Sequence, residues 1–150
     1  MVRKQGERSD SHAAARRYHD WYGGERRQSW ATPPAFFAQL HEEYEFTLDG
    51  ASEPGNGLLP RSSTAADPIL WTGERVFCNP PWSNICPFVE KAAEADLAVL
   101  LVPARTNCKW FHRALELGAH VRFFAPKIRF VGAPHVSPVD CVLLVFGGAL

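Results

Sequence analysis

Six consecutive apolar residues, Leu97 to Val102, constrain the fold of this chain more than any other feature of its sequence. A strand with one face in water alternates apolar and polar side chains, whereas an unbroken apolar run is typical of a strand covered on both faces. Apolar periodicity predicts helices over about 85–95 and 107–117 on either side of this run, the second ending at Gly118. Alternation of strand and helix favours an α/β sheet with a parallel core.

Shorter segments extend the expected sheet. Val76 to Cys78 is an apolar strand that two prolines end, and residues 44–48 alternate apolar with polar side chains before Asp49-Gly50, which predicts a strand that runs into a loop. Further strands are expected near 120–124, 127–131 and 140–146. Their close spacing predicts an antiparallel end, so the expected sheet is mixed.

The amino-terminal residues differ from the rest of the chain. Residues 1–27 contain seven Lys or Arg against four Asp or Glu, a local excess of three positive charges in a chain whose formal net charge is zero. We predict a basic, partly flexible arm over 1–29, with one short helix around 11–21, and a single domain over 30–150. The arm can follow DNA phosphates or can be a solvated tail, and the sequence leaves both open.

The domain is expected to begin with a helix over about 33–43. Threonine at position 32 can cap a first turn, and the prolines that follow it are tolerated there. The chain has no apolar run of membrane-spanning length, and its polar start does not resemble a secretory signal. A cytoplasmic location, in a bacterial host cell, is therefore predicted.

Four cysteines are spaced irregularly, which predicts free thiols rather than a disulfide framework. Cys108 and His112 share the i, i+4 spacing of two ligands on one helix face, and Cys78 or Cys86 could complete a zinc site. We interpret the cysteines as small core residues and His112 as a surface histidine rather than as zinc ligands, and we predict no metal.

The tetrapeptide Asn79-Pro80-Pro81-Trp82, at the end of an apolar strand, carries the strongest chemical signal. An amine conjugated to an aromatic ring is a poor nucleophile, so methyl transfer to it requires hydrogen-bond acceptors. The Asn79 oxygen and the Pro80 carbonyl can each accept one N–H, and the prolines fix both acceptors in place. Trp82 offers a face on which a flipped base can stack. The alternative is that the prolines only end a strand and Trp82 packs in the core.

Several further motifs follow one another along the chain. They are Trp30-Ala31-Thr32-Pro33, then Phe46-Thr47-Leu48-Asp49 followed by Asn56, Asn79-Pro80-Pro81-Trp82-Ser83, Leu100 to Thr106, Trp110-Phe111-His112 and Lys127-Ile128-Arg129-Phe130. In these motifs and in their order, the chain from about residue 30 to its end resembles the phage and prophage Dam-like family of adenine DNA methyltransferases. Only 29 residues separate Asp49 from Asn79, so the sheet must be abbreviated. The expected fold is an abbreviated Rossmann-like methyltransferase domain that uses S-adenosylmethionine.

The resemblance implies roles for individual residues. The catalytic group would be Asn79, Pro80, Pro81 and Trp82, and the cofactor would contact Trp30, Thr32, Pro33, Asp49, Ala51 and Asp67. Asp49 has a rationale of its own, because a carboxylate at a strand end can meet a cationic cofactor, although it can equally cap a loop. The predicted DNA contacts are Ser83, Arg105, Lys109, Lys127 and Arg129, and Arg113 and Arg122 are further candidates.

The same acceptor chemistry would serve other substrates. The target could be the amino group of cytosine or the side-chain amide of a protein glutamine, and the basic arm favours nucleic acid. From a different class, the domain could be a catalytically silent DNA-binding module. The intact tetrapeptide argues against this module, and the absence of a Gly-x-Gly turn after Asp49 argues for it.

Overall fold

A mixed sheet of five strands forms the centre of the structure, a computed structural model that describes residues 31–52, 57–64 and 69–148. In chain order its elements are α1 (Pro34–Tyr44), β1 (Leu48–Asp49), β2 (Arg75–Cys78), α2 (Cys86–Glu94), β3 (Leu97–Pro103), α3 (Lys109–Glu116), β4 (His120–Arg122) and β5 (Cys141–Gly147). The strand order across the sheet is β1-β2-β3-β5-β4. The first three strands are parallel, and β5 runs antiparallel to both of its neighbours. The α/β class, the parallel core and the antiparallel end are thus confirmed.

The central strand β3 is buried along its whole length, as its apolar run predicts. Leu97, Val99 and Leu101 face a cluster that includes residues of α1, whereas the alternate residues Ala98, Leu100 and Val102 face a cluster that includes residues of α2 and α3. Because both faces are covered, a polar side chain at any of these positions would lose water without gaining a partner.

The predicted strand over residues 44–48 is wrong in extent. Tyr44 still belongs to α1, and Glu45 then adopts a left-handed conformation with φ 52°, its N–H donating to the His41 carbonyl. This cap ends the helix and turns the chain, so that β1 contains only Leu48 and Asp49. The alternation seen in the sequence comes partly from a helix end, where Phe46 is buried against Phe37.

A strand over residues 127–131 is also not formed. Ile128 and Phe130 are buried, which explains the alternating pattern, but they pack onto a face of the sheet in the cluster that contains α1. In place of a ladder, Val131 forms an isolated bridge with Ala31, and Ser137 donates its N–H to the Ile128 carbonyl. The alternation therefore reflects packing over the sheet and not pairing within it.

The connection from β1 to β2 contains neither helix nor strand in its described parts, 50–52, 57–64 and 69–74. Trp71 covers the sheet there: its side chain is fully buried, and a Cβ added at Gly50 would lie 2.5 Å from its ring. Residue 50 must therefore be glycine for the indole to approach the backbone this closely. The short connection agrees with the abbreviated sheet that the sequence predicts.

No helix of the described residues is long and apolar enough to cross a membrane. The predicted arm over 1–29, with its short helix around 11–21, lies outside the residues that the structure describes.

Candidate active site

Asn79 lies at the carboxyl end of β2 and is hydrogen-bonded to a residue 47 positions earlier in the chain. Its side-chain Nδ2 donates to Thr32 Oγ1 at 3.2 Å. Thr32 is 5% exposed and stands just before α1, whose N-cap is Pro33 with no side-chain cap. The expectation that Thr32 caps this helix is therefore wrong, because its hydroxyl accepts from Asn79 instead. With Nδ2 directed at Thr32, the other atom of the amide, Oδ1, is an acceptor that points away from Thr32.

A third segment, the 128–133 loop, lies beside Thr32 and Asn79. The Val131 N–H donates to the Ala31 carbonyl at 2.9 Å, which holds the strand-like residues before α1 beside the 128–133 loop. The Phe130 ring lies edge-on to Trp82, with centroids 5.6 Å apart and planes at 79°. Phe130 is 2% exposed. Its alternation with Ile128 indicated burial but gave no sign that it borders the tetrapeptide.

The turn after Asn79 is rigid. Pro80 is buried, and the Pro81 carbonyl accepts the Asn84 N–H at 2.9 Å. Trp82 is half-buried and packs against both core clusters at the end of the sheet, whereas Ser83 is exposed. Trp82 is thus partly a core residue, in line with the alternative that it packs in the core. Part of its surface still contacts solvent beside the turn that follows Asn79.

Asp49 lies at the carboxyl end of β1, next to the site. It pairs with Phe77, two residues before Asn79, and is 5% exposed. Its carboxylate accepts the N–H of Ala51 at 3.4 Å and of Leu58 at 3.1 Å. Asp49 therefore organises the loop that follows β1. Its carboxylate also lies where parallel strands end, the usual position of ligands in such sheets.

The fully buried Cys78 thiol lies at the end of β2, beside Asp49. Burial, and next the charge of Asp49, raise the pKa of Cys78 well above its usual range. This cysteine remains a neutral thiol at physiological pH and is part of the core, not a nucleophile.

Ser52 was not selected from the sequence, yet its environment is unusual. Its Oγ, three residues beyond Asp49, is buried and has no hydrogen-bond partner among the described residues, and its N–H donates to the Ser63 carbonyl. A buried hydroxyl without a partner is uncommon and costs stability. No sequence signal marked this position, since serine is common in loops.

Besides Ser83, the predicted DNA contacts follow β3 and β4 at the carboxyl side of the sheet. Arg105 is half-buried after β3, in a loop that His112 holds through Nε2 at 2.6 Å from the Thr106 carbonyl, and Lys109 begins α3 exposed. Lys127 and Arg129 are exposed in the loop that carries Phe130, and Lys127 Nζ lies 3.5 Å from the exposed Asp140 carboxylate.

The two further candidates among the arginines have acidic partners. Arg113 pairs with Glu90 and Glu116 on the helical face of the sheet, and Arg122 pairs with Glu43. Exposed pairs of this kind contribute little stability. The paired carboxylates nevertheless reduce the positive charge with which Arg113 and Arg122 could attract a phosphate.

Some predictions cannot be placed. Trp30, Asn56 and Asp67 lie outside the described residues. Within the described part of the chain, the four cysteines are free thiols, and no group of three or more His, Cys, Asp or Glu side chains is positioned to hold a metal ion.

The fold and the site together define an α/β protein with an asparagine, a carboxylate and aromatic rings gathered where parallel strands end, the position at which open sheets of this kind bind their ligands. A family model described as DNA N-6-adenine-methyltransferase (Dam) matches residues 23–143 of the chain. The match covers well over half of the sequence, so the chain belongs to the Dam family. It begins within the segment predicted as the arm. A search of curated proteins finds no match.

Proposed function

We propose that this protein transfers a methyl group from S-adenosylmethionine to the exocyclic amino group of adenine in DNA. The family match supports adenine and DNA over cytosine or a protein glutamine. We further propose that residues 30–150 form one abbreviated Rossmann-like methyltransferase domain, preceded by a basic arm, and that the protein is of phage or prophage origin and methylates DNA at specific sites.

The hydrogen bond between Asn79 and Thr32 carries this proposal. The bond from Nδ2 to the buried Thr32 hydroxyl holds the amide at the end of β2, and Oδ1 is the atom proposed to accept from the substrate. An acceptor held in advance stabilises the positive charge that develops on the amine during methyl transfer, without reorganisation at that moment. Pro80 supplies the second acceptor through its carbonyl, and the Pro81–Asn84 turn holds that backbone in place.

Trp82 is proposed to receive the target base. Its ring is held edge-on by Phe130, so its orientation does not depend on the bound base. Stacking on an aromatic side chain contributes about 1–3 kcal/mol per base, which is comparable with the few kcal/mol needed to extrude a base from a duplex.

The residues around Asp49 fit the proposed cofactor. When bound, S-adenosylmethionine supplies an electrophilic methyl group on a positively charged sulfonium. The Asp49 carboxylate offers a negative charge beside the site, and the unpartnered Ser52 hydroxyl offers a hydrogen-bonding group at the same strand end. Thr32, Pro33 and Ala51 are proposed to line this region, together with Trp30 and Asp67, which the structure does not describe.

DNA is proposed to approach the carboxyl edge of the sheet. Ser83, Lys109, Lys127 and Arg129 are exposed there and can meet phosphates, whose contacts position a duplex without reading its sequence. Arg105 lies at the same edge, half-buried.

The test is incubation of the purified protein with unmethylated bacterial DNA and radiolabelled S-adenosylmethionine, followed by nucleoside analysis. Label is expected in N6-methyldeoxyadenosine. Asn79→Ala should lower kcat by about 10²-fold or more, the loss that follows removal of one preorganised electrostatic contact. Gln39→Ala, which removes an exposed amide on α1, is the matched control and should leave the rate unchanged.

Label in methylcytosine would replace the base assignment and keep the mechanism. Absence of label in any DNA, together with no binding of S-adenosylhomocysteine by calorimetry, would favour the silent DNA-binding module. An Asn79→Ala variant with normal kcat would refute the role of the acceptor.

A further inference from the structure

Phe123 is the most exposed of the large apolar side chains in the described residues, with 79% of its surface accessible. Its neighbours are anchored. Arg122 donates to Glu43 Oε2 at 2.8 Å and to the Tyr44 hydroxyl at 2.7 Å, and the Phe124 ring lies 4.9 Å from Phe36. The backbone on both sides is therefore fixed while the Phe123 ring projects into water, which is costly for an aromatic side chain without a partner.

The strand register places Phe123 at the same edge as the candidate active site. Arg122 pairs with Leu143 of β5, and Leu143 pairs with Leu101 of β3. Since Cys78 pairs with Leu100, Asn79 is level with Leu101 and therefore with Arg122. Phe123 follows Arg122 just as Pro80 follows Asn79. Three strand spacings separate the two positions, a distance of about 14 Å along the edge.

The loop that begins at Phe123 has the charge expected of a surface that meets DNA. Residues 123–139 contain Lys127 and Arg129 but no Asp or Glu, and both cations are exposed. Lys127 Nζ lies 3.5 Å from the carboxylate of Asp140, which follows this loop, whereas Arg129 donates to the Ala133 carbonyl. The same loop exposes Val131 and Val136, which are 51% and 48% accessible. Apolar side chains beside exposed cations are typical of proteins that insert a wedge between base pairs while their cations hold the phosphates.

We propose that Phe123 is a wedge that enters the duplex beside the target adenine and stacks in the space the extruded base leaves. This inference rests on the proposed function, because it requires a base to be drawn from a duplex into the Asn79 site. Extrusion costs the stacking and pairing energy of the base, and an aromatic ring inserted into the gap recovers part of the stacking. The separation of about 14 Å is close to the width of the major groove, about 12 Å, so one duplex can contact both positions.

The experiment compares two substrates that differ only in the cost of extrusion. One is a duplex that carries the methylated site found in the assay above, and the other is the same duplex with an abasic nucleotide opposite the target adenine. Phe123→Ala is expected to lower kcat/KM on the paired duplex by about tenfold to a hundredfold and to change it less than threefold on the abasic duplex. Phe123→Trp should restore the rate on the paired duplex.

Leu115→Ala is the matched control, since Leu115 is also an exposed apolar residue but lies on α3. It should change neither rate. Equal loss of rate on both substrates with Phe123→Ala, or no loss on the paired duplex, would overturn the wedge while leaving methyl transfer intact. If the unmodified protein methylates no adenine at all, the proposed function fails and the wedge fails with it.

Discussion

Replacement of Thr32 by valine tests the hydrogen bond on which the proposed mechanism depends. Valine keeps the volume of threonine, so no cavity forms at this buried position, but the acceptor for Asn79 Nδ2 is lost. A partly buried donor without its partner costs about 1–3 kcal/mol, and we expect the free energy of unfolding to fall by about that amount.

The effect on catalysis follows from the loss of a contact that holds the Asn79 amide in place. A hydrogen bond that contributes about 1 kcal/mol favours the held position over other positions of the side chain by about fivefold. Without it, the amide spends less time where Oδ1 can accept from the substrate. We expect Thr32→Val to lower kcat by about five- to tenfold on the same basis, measured as single-turnover methyl transfer with saturating cofactor.

Thr32→Ser separates the hydroxyl from the methyl group. Serine keeps the acceptor, so its kcat should remain close to that of the unmodified protein, although loss of a buried methyl group lowers stability by about 1 kcal/mol. Equal kcat for the serine and valine variants would show that the hydroxyl does not orient Asn79. A double-mutant cycle on unfolding, with Asn79→Ala, should give a coupling energy of about 1 kcal/mol, and additive effects would refute the interaction.

Three further predictions follow from the described contacts. A hydrogen bond from Thr47, together with Arg61, lowers the pKa of Glu74. The contribution of Glu74 to stability is therefore complete above its unfolded pKa of about 4.3 and is lost as the pH falls through its folded pKa. Glu74→Gln should reduce the pH dependence of the melting temperature in that acidic range, and an unchanged profile would contradict this. Iodoacetamide should modify exposed Cys86 rapidly and buried Cys78 only after unfolding, as mass spectrometry of the digested protein can show. Ser52→Ala should weaken binding of S-adenosylhomocysteine by about tenfold in calorimetry without loss of stability, because the hydroxyl has no partner among the described residues. Unchanged affinity would remove Ser52 from the cofactor site.

Most of the sheet could be predicted from local patterns. The run Leu97–Val102 requires a strand buried on both faces, and β3 alternates its side chains between two core clusters as that pattern implies. The helices over Cys86–Glu94 and Lys109–Glu116 lie within the ranges their periodicity predicts. The misplaced strands, over 44–48 and 127–131, share a cause: period-two burial also arises where a helix ends or where a loop crosses a sheet face.

The sequence alone identified the tetrapeptide from Asn79 to Trp82 as the candidate catalytic segment, since the proposed chemistry depends on residue types that are adjacent in the chain. Its surroundings could not be identified in this way. Thr32, Phe130 and Phe123 meet the edge of the sheet only because strand order and register bring segments about 50 to 100 residues apart to one place, and tertiary packing decides that order. Local propensity reports which residues are buried. Which of them touch is decided by how the two faces of the sheet are covered.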